Sequence, residues 1–234
     1  MKVFAHRGFS GAFPENTMLA FEKAIEAGCD GIELDVHLSK DKEVMIIHDE
    51  ALMRTTGKDG FIFDYSRAEL EKINAGGDAG FYPPPSLEEY FDFIRNHPGI
   101  ITNIEIKTLP VYYEKIEEKT LNLVTRYSLQ DRVIFSSFNW LSVTKLKRLE
   151  GSIKVGLLFD KIKTFGQEAI ISELGIDYFH PSVSIVDEET VKAFKRRNVG
   201  LNVWNVNGEK DIAKMSAWQV DGIITDYPDR AIKS

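Results

Sequence analysis

Between Gly31 and Asp49 the chain reads GIELDVHLSKDKEVMIIHD, with Glu33, Asp35 and His37 alternating with Ile32, Leu34 and Val36. Successive side chains on a strand point to opposite faces, so the three polar groups share one face and the apolar ones the other. A turn at Ser39 to Glu43 leads into the apolar run Val44 to Ile47, which ends in His48-Asp49. The segment Asn103-Ile104-Glu105-Ile106-Lys107 repeats the alternation and puts Asn103, Glu105 and Lys107 on one face. Near the N-terminus the apolar run Val3 to Ala5 ends in His6-Arg7.

Glu33, Asp35 and Glu105 form a trio of carboxylates if their strands are neighbours. Two like charges about 4 Å apart repel by about 4 kcal/mol at an effective dielectric of ~20, so such a trio needs a cation or a proton. Oxygen donors without a thiolate favour one divalent cation, Mg2+ or Ca2+, over zinc. The plainer alternative is a structural ion network with Lys107 or Arg7. His6 and His48 are the candidate acid-base pair, because imidazole titrates near neutrality and a positioned acid or base contributes about 10²–10⁴-fold. A lone histidine is more often structural, but both of these follow apolar strands and flank the carboxylates. His37 shares their face and is open between a supporting role and a metal ligand. His97, beside Pro98, reads as surface, and His180-Pro181 ends the sixth strand in a position open to lining the mouth, with no chemistry assigned to it. Arg7 suits bidentate recognition of phosphate and Lys107 supplies a point charge. A divalent ion, two cations and two histidines together fit an anionic phosphorus centre. A glycosidase would need the carboxylate pair but not the cations. Phe138 and Trp204 can pack against the carbon part of a ligand or fill the core.

These residues need a scaffold that brings strand ends together. Helical periodicity is clear over Thr17 to Ala27, with Met18, Leu19, Phe21, Ala24 and Ile25 apolar and Gly28 as a stop. Further helices are expected from Ser86 through His97 and over Val111–Tyr127, Trp140–Leu149, Phe165–Leu174, Asp187–Arg197 and Gly208–Met215, with a terminal turn at Pro228. Strands are expected at Ile100–Ile106, Val133–Ser136, Ile153–Leu158, Tyr178–His180, Gly200–Trp204 and Gly222–Thr225. Together with Val3–Ala5 and the strand from Gly31, eight strands are each followed by a helix. That alternation implies parallel βαβ units, and eight of them close into an α/β fold of the (β/α)8 TIM-barrel type, with its site at the strand C-terminal ends. From Glu50 to Pro85 the pattern breaks into turn chemistry around one short helix, Ser66 to Ile73, with Glu69 in capping-box spacing. A stretch this long is expected to be a small insertion over the mouth of the barrel. The whole chain, 1–234, then reads as a single domain.

Composition agrees. The 234 residues are 43% hydrophobic and 28% charged, with a net charge of −7, which argues against nucleic acid or an anionic membrane as main partner. A single cysteine, Cys29, excludes an internal disulfide framework and fits a reducing compartment. No apolar run approaches the roughly 20 residues that span a bilayer, and no signal segment precedes the first strand, so a cytoplasmic protein with a small-molecule substrate is expected.

Taken in order, His6-Arg7-Gly8, Pro14-Glu15-Asn16-Thr17, Glu33-Leu34-Asp35-Val36, His48-Asp49, Glu105-Ile106-Lys107, Val203-Trp204 and Asp221-Gly222-Ile223-Ile224-Thr225-Asp226 resemble the glycerophosphodiester phosphodiesterase family across nearly the whole chain. The resemblance implies a TIM barrel with an insertion after the second strand and metal-dependent hydrolysis of glycerophosphodiesters to glycerol 3-phosphate and an alcohol. It further implies that His6 and His48 are general acid and base and that Glu33, Asp35 and Glu105 bind the ion. Arg7 and Lys107 would hold the phosphate, Glu15 would orient Arg7, and Phe138 and Trp204 would wall the pocket. Either water or the adjacent glycerol hydroxyl would attack. Two features depart from the family pattern: Lys42 stands where glycine is usual, and the stretch Gly76 to Pro85 is short and ends in three prolines. Both bear on headgroup preference. A lysophospholipase D or sphingomyelinase D-like phosphodiesterase is the first rival, favoured by Phe61, Ile62, Phe63, Phe81 and Tyr82 in the insertion. A non-catalytic glycerol-phosphate-binding barrel is the second, and binding alone needs no pair of histidines.

Overall fold

The computed structural model describes residues 1–160 and 167–232. Eight parallel strands close on themselves: β1 (Lys2–His6), β2 (Gly31–Leu38), β4 (Ile101–Ile106), β5 (Val133–Ser137), β6 (Lys154–Phe159), β7 (Tyr178–Pro181), β8 (Gly200–Val203) and β9 (Gly222–Thr225). Closure is completed by β1, which pairs with both β2 and β9. A further strand, β3 (Val44–Ile46), lies outside the ring, antiparallel to the end of β2 through Val36–Ile46, His37–Met45 and Leu38–Val44. The run that ends in His48 is therefore the return arm of a hairpin on the longest barrel strand.

Around the barrel run α1 (Met18–Glu26), α4 (Leu87–Ile94), α5 (Ile116–Arg126), α6 (Trp140–Leu149), α7 (Gln167–Glu173), α8 (Glu188–Arg196), α9 (Glu209–Ala217) and α10 (Pro228–Ile232). The helix expected over Phe165–Leu174 is seen from Gln167, and the residues before it lie outside the described residues. The outward side chains of the strands, among them Ile32, Leu34, Val36, Ile104 and Ile106, pack with the inner helix faces into one continuous core. Each fully buried aliphatic side chain contributes about 1.5–3 kcal/mol to that layer.

Helix α5 begins at Ile116, later than the expected Val111. The intervening residues are held in another way: Tyr113 is buried with its hydroxyl 2.9 Å from His37 Nδ1, and Lys115 has a left-handed backbone (φ 63°) that does not continue a helix. Residues 50–85 carry two short helices, α2 (Met53–Thr56) and α3 (Arg67–Leu70), and two 3-10 turns, Ile62–Asp64 and Gly77–Ala79. The Ser66 N–H donates to Glu69 at 2.8 Å, so the capping spacing forms, although the helix is a single turn rather than running to Ile73. Met45, Ile47, Leu52, Ile62 and Leu70 give this segment an apolar cluster of its own.

The register of the strands decides which residues meet. His6 pairs with Glu33 across β1 and β2, and Glu33 with Asn103 across β2 and β4. Two residues further along, Asp35 pairs with Glu105, and Glu105 with Ser136. Below these polar rows Phe4, Ile134 and Ile224 fill the barrel interior. Gly31 leaves room for Phe4, since a Cβ there would lie 2.4 Å from its ring.

Candidate active site

At the C-terminal ends of the strands a cavity of about 240 Å³ is lined by His6, Arg7, Glu33, His48, Asn103, Glu105, Lys107, Phe138, Leu158, Trp204, Asn205 and Ile224. Eight of the ten residues singled out from the sequence are in this lining. Asp35 is enclosed by Lys107, Arg7 and Asn16, and Glu15 by Arg7 and Arg54.

Oxygens of Glu33, Asp35 and Glu105 lie within 4.8 Å of one another, and all three side chains are buried. Their environments differ. Burial opposes ionisation of Asp35, but Lys107 at 2.9 Å and Arg7 at 3.4 Å outweigh it and hold this carboxyl well below the usual range. Glu33 is pushed well above that range, first by burial and then by Asp35 and Glu105. Glu105 is raised as well: burial leads, Asp35 adds to it, and Lys107 at 2.5 Å only partly offsets them. The two nearby cations satisfy one carboxylate and leave two under-compensated, which is the electrostatic condition for a further positive charge. Asn103 adds a buried amide oxygen, facing the cavity, that accepts no hydrogen bond. Hard oxygen donors around a charge-deficient pocket fit Mg2+ or Ca2+.

Each candidate histidine is oriented by a carboxylate. His6 Nδ1 lies 2.6 Å from Asp226 Oδ1, with the amide of Asn205 at 3.0 Å. That contact places the proton on Nδ1 and leaves Nε2, 4.0 Å from Glu33, for the cavity. Asp226 is in turn braced by Asn207 at 2.6 Å and Ser10 at 3.1 Å. His48 repeats the arrangement, its Nδ1 2.6 Å from Asp49 Oδ1. Burial lowers the pKa of His48 and outweighs the opposing pull of Asp35, so the imidazole is neutral near pH 7.

His37 is a support rather than a ligand. Its Nε2 lies 2.9 Å from the His48 carbonyl and its Nδ1 2.9 Å from the Tyr113 hydroxyl, so both ring nitrogens are occupied. Burial pushes its pKa down to about 4. His180 is fully buried inside the barrel, 3.1 Å from Asn202, and does not line the cavity. His97 is half-buried at the end of α4, its ring against Phe93.

The loop after β1 reaches the site through strained backbone. Arg7 and Asn16 are left-handed (φ 54° and 55°), a conformation uncommon for residues with a Cβ. It aims the Arg7 N–H at Glu33 (3.0 Å) and the Asn16 amide at Asp35 (2.8 Å). Gly8 follows because a Cβ there would lie 2.7 Å from the Ala20 backbone. The Arg7 guanidinium donates to Glu15 at 2.9 Å. Phe138 and Trp204 meet edge to face at 5.6 Å as one wall, with the indole N–H donating to the His180 carbonyl.

Sequence reasoning assigned no role to Asp226, Asn205, Asn207, Asn16, Asp49 or Arg54. The sequence pairs Asp49 with His48 and places Asp226 at the mouth as the end of the last strand, but shows no partner that would give either a role. Asn205 and Asn207 lie in an irregular segment and Arg54 in the single-turn α2, so none of the three carries a periodic signal.

Comparison with known proteins agrees with this geometry. The model of the glycerophosphoryl diester phosphodiesterase family matches residues 6–230. A protein of Caldanaerobacter subterraneus named glycerophosphodiester phosphodiesterase is 39% identical over 236 residues, covering 98% of this chain and 96% of its own. One of Bacillus altitudinis with the same name is 38% identical over 239 residues, covering 99% and 97%. An Oleispira antarctica phosphodiesterase, solved with its product sn-glycerol-3-phosphate, superposes with a TM-score of 0.90 at 29% identity over 100% of this chain and 96% of that one.

Proposed function

This chain belongs to the glycerophosphoryl diester phosphodiesterase family, and on that premise we propose that it hydrolyses glycerophosphodiesters to glycerol 3-phosphate and an alcohol with the help of a divalent cation. One observation carries the reading: two carboxylate-oriented histidines, a carboxylate trio and two cations border the same cavity of about 240 Å³. Binding alone would not require two imidazoles, each with a proton fixed on its far nitrogen.

Glu33, Asp35 and Glu105 would hold the ion, with the Asn103 oxygen beside them. When bound, the ion supplies charge neutralisation on the phosphoryl oxygens and orients the substrate. Arg7 and Lys107 hold the phosphate, Arg7 through a guanidinium that Glu15 fixes. His48, neutral and fixed by Asp49, presents Nε2 to take a proton from the attacking hydroxyl. His6, fixed by Asp226, acts as the imidazolium: it gives its Nε2 proton to the leaving oxygen while Asp226 holds the Nδ1 proton. After product release His48 loses its gained proton to water and His6 regains one from water. The roles of the two histidines exchange if attack comes from the opposite face. Phe138 and Trp204 pack against the carbon skeleton. Residues 50–85 act as an insertion over this mouth, supported by the reach of Arg54 to Glu15 and Asp49.

A second reading, cleavage of lysophospholipids, has one observation in its favour: Tyr112 after β4, Phe138 after β5, and Trp140 and Leu141 in the first turn of α6 are exposed. The test measures glycerol 3-phosphate release from glycerophosphocholine against choline release from lysophosphatidylcholine, for the wild type, H6A and H48A. Faster turnover of glycerophosphocholine, with losses of about 10²–10⁴-fold in each variant, is expected. Preference for the lipid would favour the second reading, and unchanged rates in both variants would remove the histidines from the mechanism.

A further inference from the structure

Arg54 lies in α2, on the segment that follows β3, with its side chain 47% exposed. Its position gives no reason to expect chemistry, and exposed ion pairs contribute little to stability as a rule. Its contacts are unusual for such a residue. The Nε donates to Asp49 Oδ2, while Asp49 Oδ1 holds His48 Nδ1 at 2.6 Å. The two terminal nitrogens donate to both oxygens of Glu15 at 2.8 Å each, while Glu15 Oε1 also accepts from Arg7 at 2.9 Å. One planar guanidinium thus closes a chain from the imidazole of His48 to the guanidinium of Arg7.

Resting on the reading of His48 and Arg7 given above, we propose that Arg54 is a positioning residue that sets both halves of the site at once. On one side it fixes the carboxylate that orients the proton-transfer imidazole. On the other it fixes the carboxylate that orients the phosphate-binding arginine. Burial opposes ionisation of Glu15 and Asp49, but Arg54 together with Arg7 at Glu15, and Arg54 together with His48 at Asp49, outweigh it and lower the pKa of both carboxyls. The fork geometry is essential to the idea. A lysine offers a single charged nitrogen on a flexible stem and cannot make a bidentate contact with one carboxylate while holding another. The consequence is a coupling between residues 50–85 and catalysis: a displacement of α2 would loosen proton transfer and phosphate binding together.

The experiment measures kcat and KM for glycerophosphocholine in R54A, R54K, D49N, E15Q and the doubles R54A/D49N and R54A/E15Q, alongside melting curves. R54A is expected to lower kcat about 10–100-fold, the range usual for partners that orient a catalytic ligand, and to raise KM about 10-fold. R54K is expected to recover less than half of either loss. In the D49N background R54A is expected to leave kcat at the D49N value while still raising KM. In the E15Q background it is expected to leave KM at the E15Q value while still lowering kcat. Losses that multiply in both doubles would overturn the proposal, since independent residues combine in that way. So would wild-type kinetics in R54A or R54K, or a fall in melting temperature without the split. Those outcomes leave the sensitivity of the wild type to H48A and R7A intact. If H48A and R7A are themselves active, the reading of the site fails instead.

Discussion

Two carboxylates flank the His6 imidazole, and their surroundings drive them apart. Glu33, 4.0 Å from Nε2, is buried beside Asp35 and Glu105 and is pushed toward its protonated form. Asp226, 2.6 Å from Nδ1, is also opposed by burial, yet hydrogen bonds from His6, Asn207 and Ser10 and the charge of His6 bring it down to about 2. On the proposed reading the first would accept a cation, and the second holds the imidazole through Nδ1. A folded-state pKa below the ordinary 3.8 contributes stability that is fully present above about pH 4 and is lost as pH falls through 2. At about 1.4 kcal/mol per pH unit this amounts to at most roughly 2 kcal/mol, an upper figure because the side chain is 26% exposed and screened by solvent. D226N is therefore expected to lower kcat by at least about 10-fold through loss of tautomer control. It is also expected to flatten the acid limb of the unfolding profile between pH 4 and 2. An unaltered kcat together with an unaltered acid limb would show that Asp226 does neither job.

The hairpin of β2 and β3 carries Glu33 and Asp35 and leads into His48, and its turn holds a strained residue. Lys42 has φ 67°, a left-handed conformation that costs an L-residue about 1–2 kcal/mol and glycine nothing. This is the physical reason that glycine would suit the turn better than lysine. Glycine also gains entropy in the unfolded chain, offsetting part of the gain. K42G is expected to raise stability by about 0.5–1 kcal/mol, or about 2 °C in melting temperature, with kcat within about twofold of the wild type. A lower melting temperature would contradict the strain argument. At this scale the sequence was informative wherever periodicity operates. Alternation alone placed Glu33, Asp35, Glu105 and Lys107 on one inner face, and the register of β2 with β4 then sets Asp35 opposite Glu105. Periodicity failed where single residues decide. The start of α5 was set too early because Tyr113 is committed to His37 rather than to a helix. Arg54 and Asn207 were missed because Glu15 and Asp226, which they hold, are 39 and 19 residues away, a distance that no local pattern encodes, and Asp49, five residues before Arg54, matches no helical or strand period there.

For the molecule as a whole, eight strand–helix units closing through β1 explain how residues from His6 to Ile224 reach one cavity. The count of barrel strands was legible in the sequence, and so was the gathering of these polar residues at their C-terminal ends. The hairpin outside the ring was not, because an apolar run of three or four residues does not announce its partner. Among the described residues no helix is long and apolar enough to cross a membrane. A net charge of −7 sits around a pocket in which three buried carboxylates face only two nearby cations, so the fold itself carries a local demand for positive charge. The central claim is that a divalent ion meets that demand and that the chain then cleaves glycerophosphodiesters. It is tested most directly by the initial rate of glycerol 3-phosphate release from glycerophosphocholine, measured after EDTA treatment and again after adding back Mg2+ or Ca2+. A Lewis-acid contribution of several kcal/mol predicts a loss of at least about 100-fold on chelation and its recovery with one of the two ions. A rate indifferent to EDTA, or no release with either ion, would contradict it.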